Sequence, residues 1–344
     1  MISAPLRLAL DGDALVANWR TLDAMSGAAA CGAAVKANGY GLGARDVAAR
    51  LAAAGCRDFF VATWGEAAAL SELGVSVSVL HGVREEDLPF ALSAGFARPV
   101  LNTVQQVRRW REAGGGPCDV MVDTGMNRLG VTPEDVASGL IDGLNVDTLM
   151  SHLASADEDV PANAAQRARF AALAGQGGAR RMSLANSAGI PLGADYAFDL
   201  TRPGIALYGG VQAQAFAGRI RQVVTPQAQL LQRRLVPAGQ AVGYNATWTA
   251  SVPTEVAIIN LGYADGYLRC FSGRGMARAG DLALPVIGRV SMDLVAIDVS
   301  AAPDLAEGDW VSIDYALPQT AALSGLSQYE LLTGLGARFD RIWR

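Results

Sequence analysis

The sequence predicts an N-terminal (β/α)8 TIM-like barrel followed by a mainly β domain. Eight apolar, strand-like runs recur at similar intervals over the first two thirds of the 344 residues, and helical patterns lie between most of them. After about Ile220 the helices give way to short strand-like runs separated by Pro, Gly and Asp clusters. Alternating strands and helices imply parallel pairing through crossover helices, and eight such units are the number a barrel of ~200 residues or more requires. An open doubly wound sheet shares this alternation, and the pattern alone does not write closure.

Taken in order, the runs are 33–36, 59–63, 75–80, 98–101, 119–123, 146–152, 181–185 and 200–207. Segment 44–54 is alanine-rich with Val47 and Leu51 four apart, as a helix packed on one face requires, and 66–73, 85–94, 103–112 and 164–173 read similarly. Thr132-Pro133-Glu134 predicts a helix N-cap with proline at the first helical position. Beyond 222, runs 227–233, 241–244, 255–260, 284–290, 295–299 and 310–315 predict strands, with no long helix before 327–335. The division expected is 1–222 for the barrel and 223–344 for the β domain, the latter long enough for its own core.

Composition narrows the function. A net charge of -5 offers no basic footprint for nucleic acid. Residues 1–10 lack an apolar stretch of signal-peptide length, and no apolar run approaches the ~18 residues that span a membrane, so a cytoplasmic setting is expected. Cys31, Cys56, Cys118 and Cys270 show no CxxC spacing, and with only His81 and His152 no metal site is expected.

In a barrel, chemistry gathers where the loops leave the C-terminal ends of the strands. Lys36 ends the first run, before a glycine turn, in a setting where desolvation frees a neutral amine able to hold a carbonyl cofactor as a Schiff base. The segment from Asp123 to Arg128 follows the fifth run, His152 ends the sixth, Asn186-Ser187-Ala188-Gly189 follows the seventh, and Arg202-Pro203-Gly204 lies in the eighth. Ser187, Gly189 and the Gly204-Ile205 backbone offer hydroxyl and N–H donors suited to a phosphate.

Eight segments, in order, resemble those of alanine racemases: Val35-Lys36-Ala37-Asn38-Gly39-Tyr40-Gly41, the stretch from Val122 to Gly130 containing Asp123-Thr124-Gly125-Met126-Asn127-Arg128, Ser151-His152-Leu153-Ala154, Asn186-Ser187-Ala188, Arg202-Pro203-Gly204-Ile205, Gly243-Tyr244, Gly262-Tyr263-Ala264-Asp265-Gly266, and Gly288-Arg289-Val290-Ser291-Met292-Asp293. The resemblance implies a pyridoxal 5′-phosphate enzyme acting on a small amino acid as a head-to-tail homodimer. It implies that Lys36 binds the cofactor covalently and serves as one base, and that Tyr244 of the partner subunit is the opposite base. Arg202 would meet the pyridine nitrogen, His152 would sit beside the ring, and Tyr40, Asn186, Ser187, Gly204 and Ile205 would complete the cofactor site. Arg128 and Met292 would meet the substrate carboxylate, with Tyr263 lining the opening.

Physical chemistry stands beside these roles. Racemisation removes a Cα proton from one face and returns it to the other, so two bases on opposite sides are the economical arrangement. An arginine at the ring nitrogen stays protonated and donates, which discourages ring protonation and limits side reactions. The chain also departs from the family. Leu42 stands where many members have histidine, and Met121 stands where some have a lysine bracing the substrate arginine, leaving Arg128 to Asn127 or a bound anion. Ala337 aligns near a phosphate-binding tyrosine of some members. Alternatives are racemisation of serine or a broader amino-acid range, a basic-amino-acid decarboxylase of the same architecture, for which Cys270 lacks the expected surroundings, and a cofactor-binding protein, which would not need the Tyr244 segment.

Overall fold

The structure is a computed structural model that describes residues 3–344. Backbone contacts divide it into two compact units, Leu15–Arg221, and the described residues before Leu15 together with Gln222–Arg344. The first strand, β1 (Leu6–Leu10), therefore belongs with the C-terminal residues, and the compact units differ in this from a chain-order division at residue 222.

Leu15–Arg221 is built on β2 (Ala30–Cys31), β3 (Ala33–Ala34), β4 (Asp58–Val61), β5 (Ser76–Val79), β6 (Ala97–Leu101), β7 (Cys118–Met121), β8 (Val146–Met150), β9 (Arg181–Ser183) and β10 (Leu200–Thr201). From β3 to β9 each strand pairs in parallel with the next. β2 and β3 are one strand broken at Gly32, where a Cβ would lie 2.8 Å from the Phe60 ring. β10 closes the ring. On one side Ala30, Gly32 and Ala34 donate to Asp199, Thr201 and Pro203 carbonyls, and on the other Asp199 and Arg202 donate to Met182 and Ala185. Closure excludes the open sheet.

The helices follow their local chemistry. Ala44–Ala54 buries Val47, Ala48 and Leu51 on one face. Thr103 caps Val104–Glu112, and Thr132 forms a capping box with Asp135 at the start of Pro133–Ala137. The eighth run stops as a strand at Thr201, because Pro203 has no N–H to donate and Gly204 leaves extended geometry. At the opposite end of the barrel lies a charge network. Arg98 reaches Asp119 at 3.1 Å and Asp147 at 2.9 Å, and Arg181 reaches Asp58 at 2.7 Å and Asp147 at 2.8 Å. These residues stand at strand beginnings, the face of a barrel associated with stability rather than catalysis.

In the other unit, β11 (Val224–Val236), β12 (Ala241–Val242), β13 (Trp248–Thr249), β14 (Thr254–Ile259), β15 (Met276–Ala279), β16 (Leu282–Ile287), β17 (Val295–Asp298), β18 (Trp310–Ile313) and β19 (Asp340–Trp343) follow. The main sheet runs β14-β17-β16-β15-β18-β11-β1-β19, and β14 also pairs with β11, so the long β11, with an irregularity between Leu230 and Gln232, serves three neighbours, β1, β18 and β14. A helix of 8 residues, Leu317–Ser324, lies in the stretch where no long helix was expected, with Pro318 in its first turn and Gly325 in the left-handed region at its end.

Candidate active site

Lys36 leaves β3 into a short turn, Lys36–Tyr40, whose backbone is unusual. Ala37, Asn38, Gly39 and Tyr40 have φ values of 53°, 53°, 63° and 53°. Left-handed geometry costs a non-glycine residue roughly 1–2 kcal/mol, so contacts must hold this turn. Gly39 N–H donates to Val35 O at 2.8 Å, Gly41 N–H to Ala37 O at 2.9 Å, and Ala44 N–H to Asn38 Oδ1 at 3.0 Å. Desolvation lowers the Lys36 pKa, the Arg128 charge adds to the effect, Glu66 opposes it, and Arg202 lowers it again.

Arg202 is buried among partners fixed by neighbouring strands. Its Nη2 donates to Ser151 O at 2.5 Å and its Nη1 to Ser183 Oγ. Burial pushes its pKa down to about 10, which leaves it cationic at neutral pH. The pKa of His152 is pushed down to about 3 by desolvation, then by Arg202, Arg128 and Lys36, so the imidazole is neutral. Those mutual influences place Lys36, Arg128, His152 and Arg202 in one electrostatic neighbourhood.

Beside them lies a glycine cradle. Ser187 Oγ accepts from Gly204 N–H at 2.8 Å and Ala206 N–H at 3.3 Å. A Cβ on Gly204 would stand 2.2 Å from the Tyr40 hydroxyl. Tyr40 in turn stacks on Tyr208 with centroids 4.6 Å apart, and Tyr208 donates to Ala34 O at 2.8 Å. Ile205 opens the buried turn Ile205–Tyr208, and Asn186 Oδ1 accepts from Gly189 N–H at 2.9 Å. The polar groups converging here are hydroxyls and amides.

The loop carrying Arg128 is bracketed by Asp123. That carboxylate accepts N–H bonds from Gly125 at 2.8 Å, Met126 at 2.9 Å and Arg128 at 3.0 Å. Burial alone would raise its pKa, but the backbone donors bring it below the ordinary value. The backbone of Arg128 is thus held from Asp123, while Met121 lines a small cavity together with Arg128 and His152.

Tyr244, Tyr263 and Met292 lie in the other compact unit. Tyr244 is 66% exposed and Met292 53% exposed, so both present side chains outward. Their turns are interlocked: a Cβ on Gly288 would lie 2.7 Å from Val242 O, Tyr263 N–H donates to Ser291 O, and Ala264 N–H donates to Met292 O, both at 3.0 Å. Arg338 ties the Tyr263 and Met292 turns by gripping Asp265 through two bonds of 2.6 and 2.7 Å and Asp293 at 2.7 Å.

Five residues take roles that the sequence-based site did not give them: Glu66, Asp123 as a loop brace, Ser151 and Ser183 as partners of Arg202, and Arg338. Glu66 had a local signal, because Thr63-Trp64-Gly65-Glu66 spells a capping box, and so had Asp123, which heads its motif and braces N–H groups two to five residues on.

The family model described as "Alanine racemase, N-terminal domain" matches residues 10–212, and that described as "Alanine racemase, C-terminal domain" matches 223–343. An alanine racemase of Acidiphilium cryptum is 43% identical over 97% of this chain and 98% of its own length. A catabolic alanine racemase of Agrobacterium fabrum is 42% identical over 97% of this chain and 91% of its own. The crystal structure of alanine racemase from Bartonella henselae with covalently bound pyridoxal phosphate superposes with a TM-score of 0.89 at 34% identity, covering all of both chains. With both domains matched and relatives aligned nearly end to end, this chain belongs to the alanine racemase family.

Proposed function

We propose that this chain is a pyridoxal 5′-phosphate-dependent enzyme interconverting L- and D-alanine, with Lys36 and Tyr244 of the partner subunit as its two bases. The observation that carries this reading is the cluster itself: a burial-depressed lysine, a buried arginine and a hydroxyl-and-amide cradle at one end of the barrel. Those residues fit the cofactor. Ser187, Tyr40 and the Gly204–Ile205 backbone suit its phosphate, Arg202 its ring nitrogen, and Lys36 its aldehyde. When bound, the cofactor supplies the electron sink for breaking the Cα–H bond.

The chain's own groups decide the rest. Lys36 Nζ, whose pKa is lowered by desolvation, takes or returns the proton on one face of Cα. The Tyr244 hydroxyl of the partner subunit handles the other face, a role that suits an outward-facing tyrosine beside the interlocked Tyr263 and Met292 turns. Arg128 holds the substrate carboxylate from a loop that Asp123 keeps in place. Neutral His152 would neighbour the cofactor without adding positive charge. A head-to-tail homodimer follows from this division, with residues 1–222 supplying the cofactor groups and 223–344 supplying Tyr244, Tyr263 and Met292. Unpaired cysteines suit a cytoplasmic setting.

The test is a racemisation assay across alanine, serine, lysine and arginine, with borohydride reduction and peptide mapping of the same protein. Alanine should give the highest kcat/KM, and the pyridoxyl label should fall on Lys36. Faster turnover of lysine or arginine, or a label on another residue, would overturn the reading.

A further inference from the structure

The turn that presents Lys36 is strained and lies beside a carboxylate from the next strand–helix unit. Ala37, Asn38 and Tyr40 are non-glycine residues with φ of 53°. Conformations of this kind persist only where surrounding contacts over-determine them. Glu66, 29 residues further along the chain, supplies such a contact: its Oε1 accepts the Ala37 N–H at 2.7 Å.

The other oxygen of the same carboxylate is committed elsewhere. Glu66 Oε2 accepts Ala62 N–H at 2.7 Å and Thr63 N–H at 3.4 Å, completing the capping box with Thr63 that starts Trp64–Ala68. One side chain thus joins the end of β4 to the residue following Lys36, bridging two adjacent loops of the barrel's C-terminal face. A carboxylate suits this task because both of its oxygens are acceptors, so N–H donors on two sides are satisfied together. Glutamine would have to turn its NH2 toward one set of donors.

We infer that Glu66 is a positioning residue for the reaction, holding the left-handed turn that aims Lys36 and supplying the negative charge beside that amine. The inference rests on Lys36 being the cofactor lysine. The charges facing the amine are Arg128 and Arg202, which favour its neutral form, and Glu66, which opposes them, with His152 neutral nearby. Removing the Glu66 charge therefore makes Lys36 easier to deprotonate while loosening its placement.

Amide hydrogen exchange of full-length enzyme, resolved over residues 36–43, tests the geometry. Glu66→Gln keeps a side chain compatible with the Thr63 box but leaves Ala37 N–H without its acceptor, so protection across 36–43 should fall about tenfold or more, the size of one lost charge-assisted bond. Protection in Cys118–Met121 and Val146–Met150 should not change. In the racemisation direction that Lys36 serves, the acid limb of the kcat profile, which reports the enzyme–substrate complex where Lys36 acts as a free amine, should move down by roughly half a pH unit, as for a unit charge acting through water over several ångströms. Unchanged exchange over 36–43, or an unmoved acid limb, overturns the assignment. Exchange is indifferent to which lysine carries the cofactor, so this failure is separable from mislabelling of Lys36, which would withdraw the premise.

Discussion

Replacing Gly204 by alanine probes the cradle at its tightest point. The added methyl would meet the Tyr40 hydroxyl at 2.2 Å and Cζ at 3.0 Å, well inside the 3.4 Å at which ordinary contact begins. Tyr40 has little room to yield: it is 5% exposed, its ring stacks on Tyr208, and its backbone is left-handed. Overpacking of this kind costs about 1–3 kcal/mol, and the upper half of that range is expected here because backbone and ring are both pinned. Urea unfolding of Gly204→Ala should show this loss, and cofactor affinity should fall at least tenfold, since both residues are assigned to the phosphate. Tyr40→Phe removes the offending oxygen while Cζ remains, so the double variant should recover about 1 kcal/mol relative to additivity. Strict additivity in that cycle, or a neutral Gly204→Ala, would refute the reasoning.

Two further predictions concern stability. Asp119 is fully buried and accepts from Ser78 Oγ at 2.6 Å, Arg98 Nε at 3.1 Å and Thr148 N–H at 3.0 Å. Asp119→Ala leaves Arg98 with Asp147 as its close carboxylate but deprives Ser78 Oγ and Thr148 N–H of their buried acceptor, and should cost about 2–4 kcal/mol, lowering Tm by roughly 5–10 °C. A loss below about 1 kcal/mol would show that the network relaxes freely. His152 has a folded pKa of about 3 against 6.5 when unfolded, so the unfolded chain binds its proton first as pH falls. Its contribution to stability is present above 6.5 and is lost progressively toward 3. Cofactor-free His152→Gln should therefore lose less urea resistance than wild type between pH 7.5 and 5, and an equal loss in both would contradict the assigned environment.

What the sequence made legible was local. Thr103 and Thr132 announce their helices because a capping side chain acts within three residues. The barrel strands are recognisable because each is a short apolar run between turn residues, although several end early where Pro203 or a loop residue interrupts pairing. Long-range pairing was not legible. Nothing in Leu6–Leu10 distinguishes a strand pairing with β11 and β19 from one opening the barrel. Lys36, Arg202 and Tyr40 could be named because motifs carry them, whereas Arg338, Ser151 and Ser183 act through partners 45, 51 and 19 residues away that no local pattern reveals. The left-handed run at 37–40 was legible only as a turn at Asn38-Gly39, because alanine and tyrosine at 37 and 40 do not advertise positive φ.

The central claim is that each site joins Lys36 of one subunit to Tyr244 of the partner subunit. Mixing inactive Lys36→Ala and Tyr244→Phe proteins under conditions of subunit exchange tests it most directly. Random pairing makes about half the dimers mixed, and each mixed dimer holds one site with both defects and one with neither. An equimolar mixture should therefore recover about a quarter of wild-type turnover, by the same symmetry. Absence of recovery despite demonstrated exchange of subunits would contradict the shared site, since a site completed within one chain stays defective in every combination.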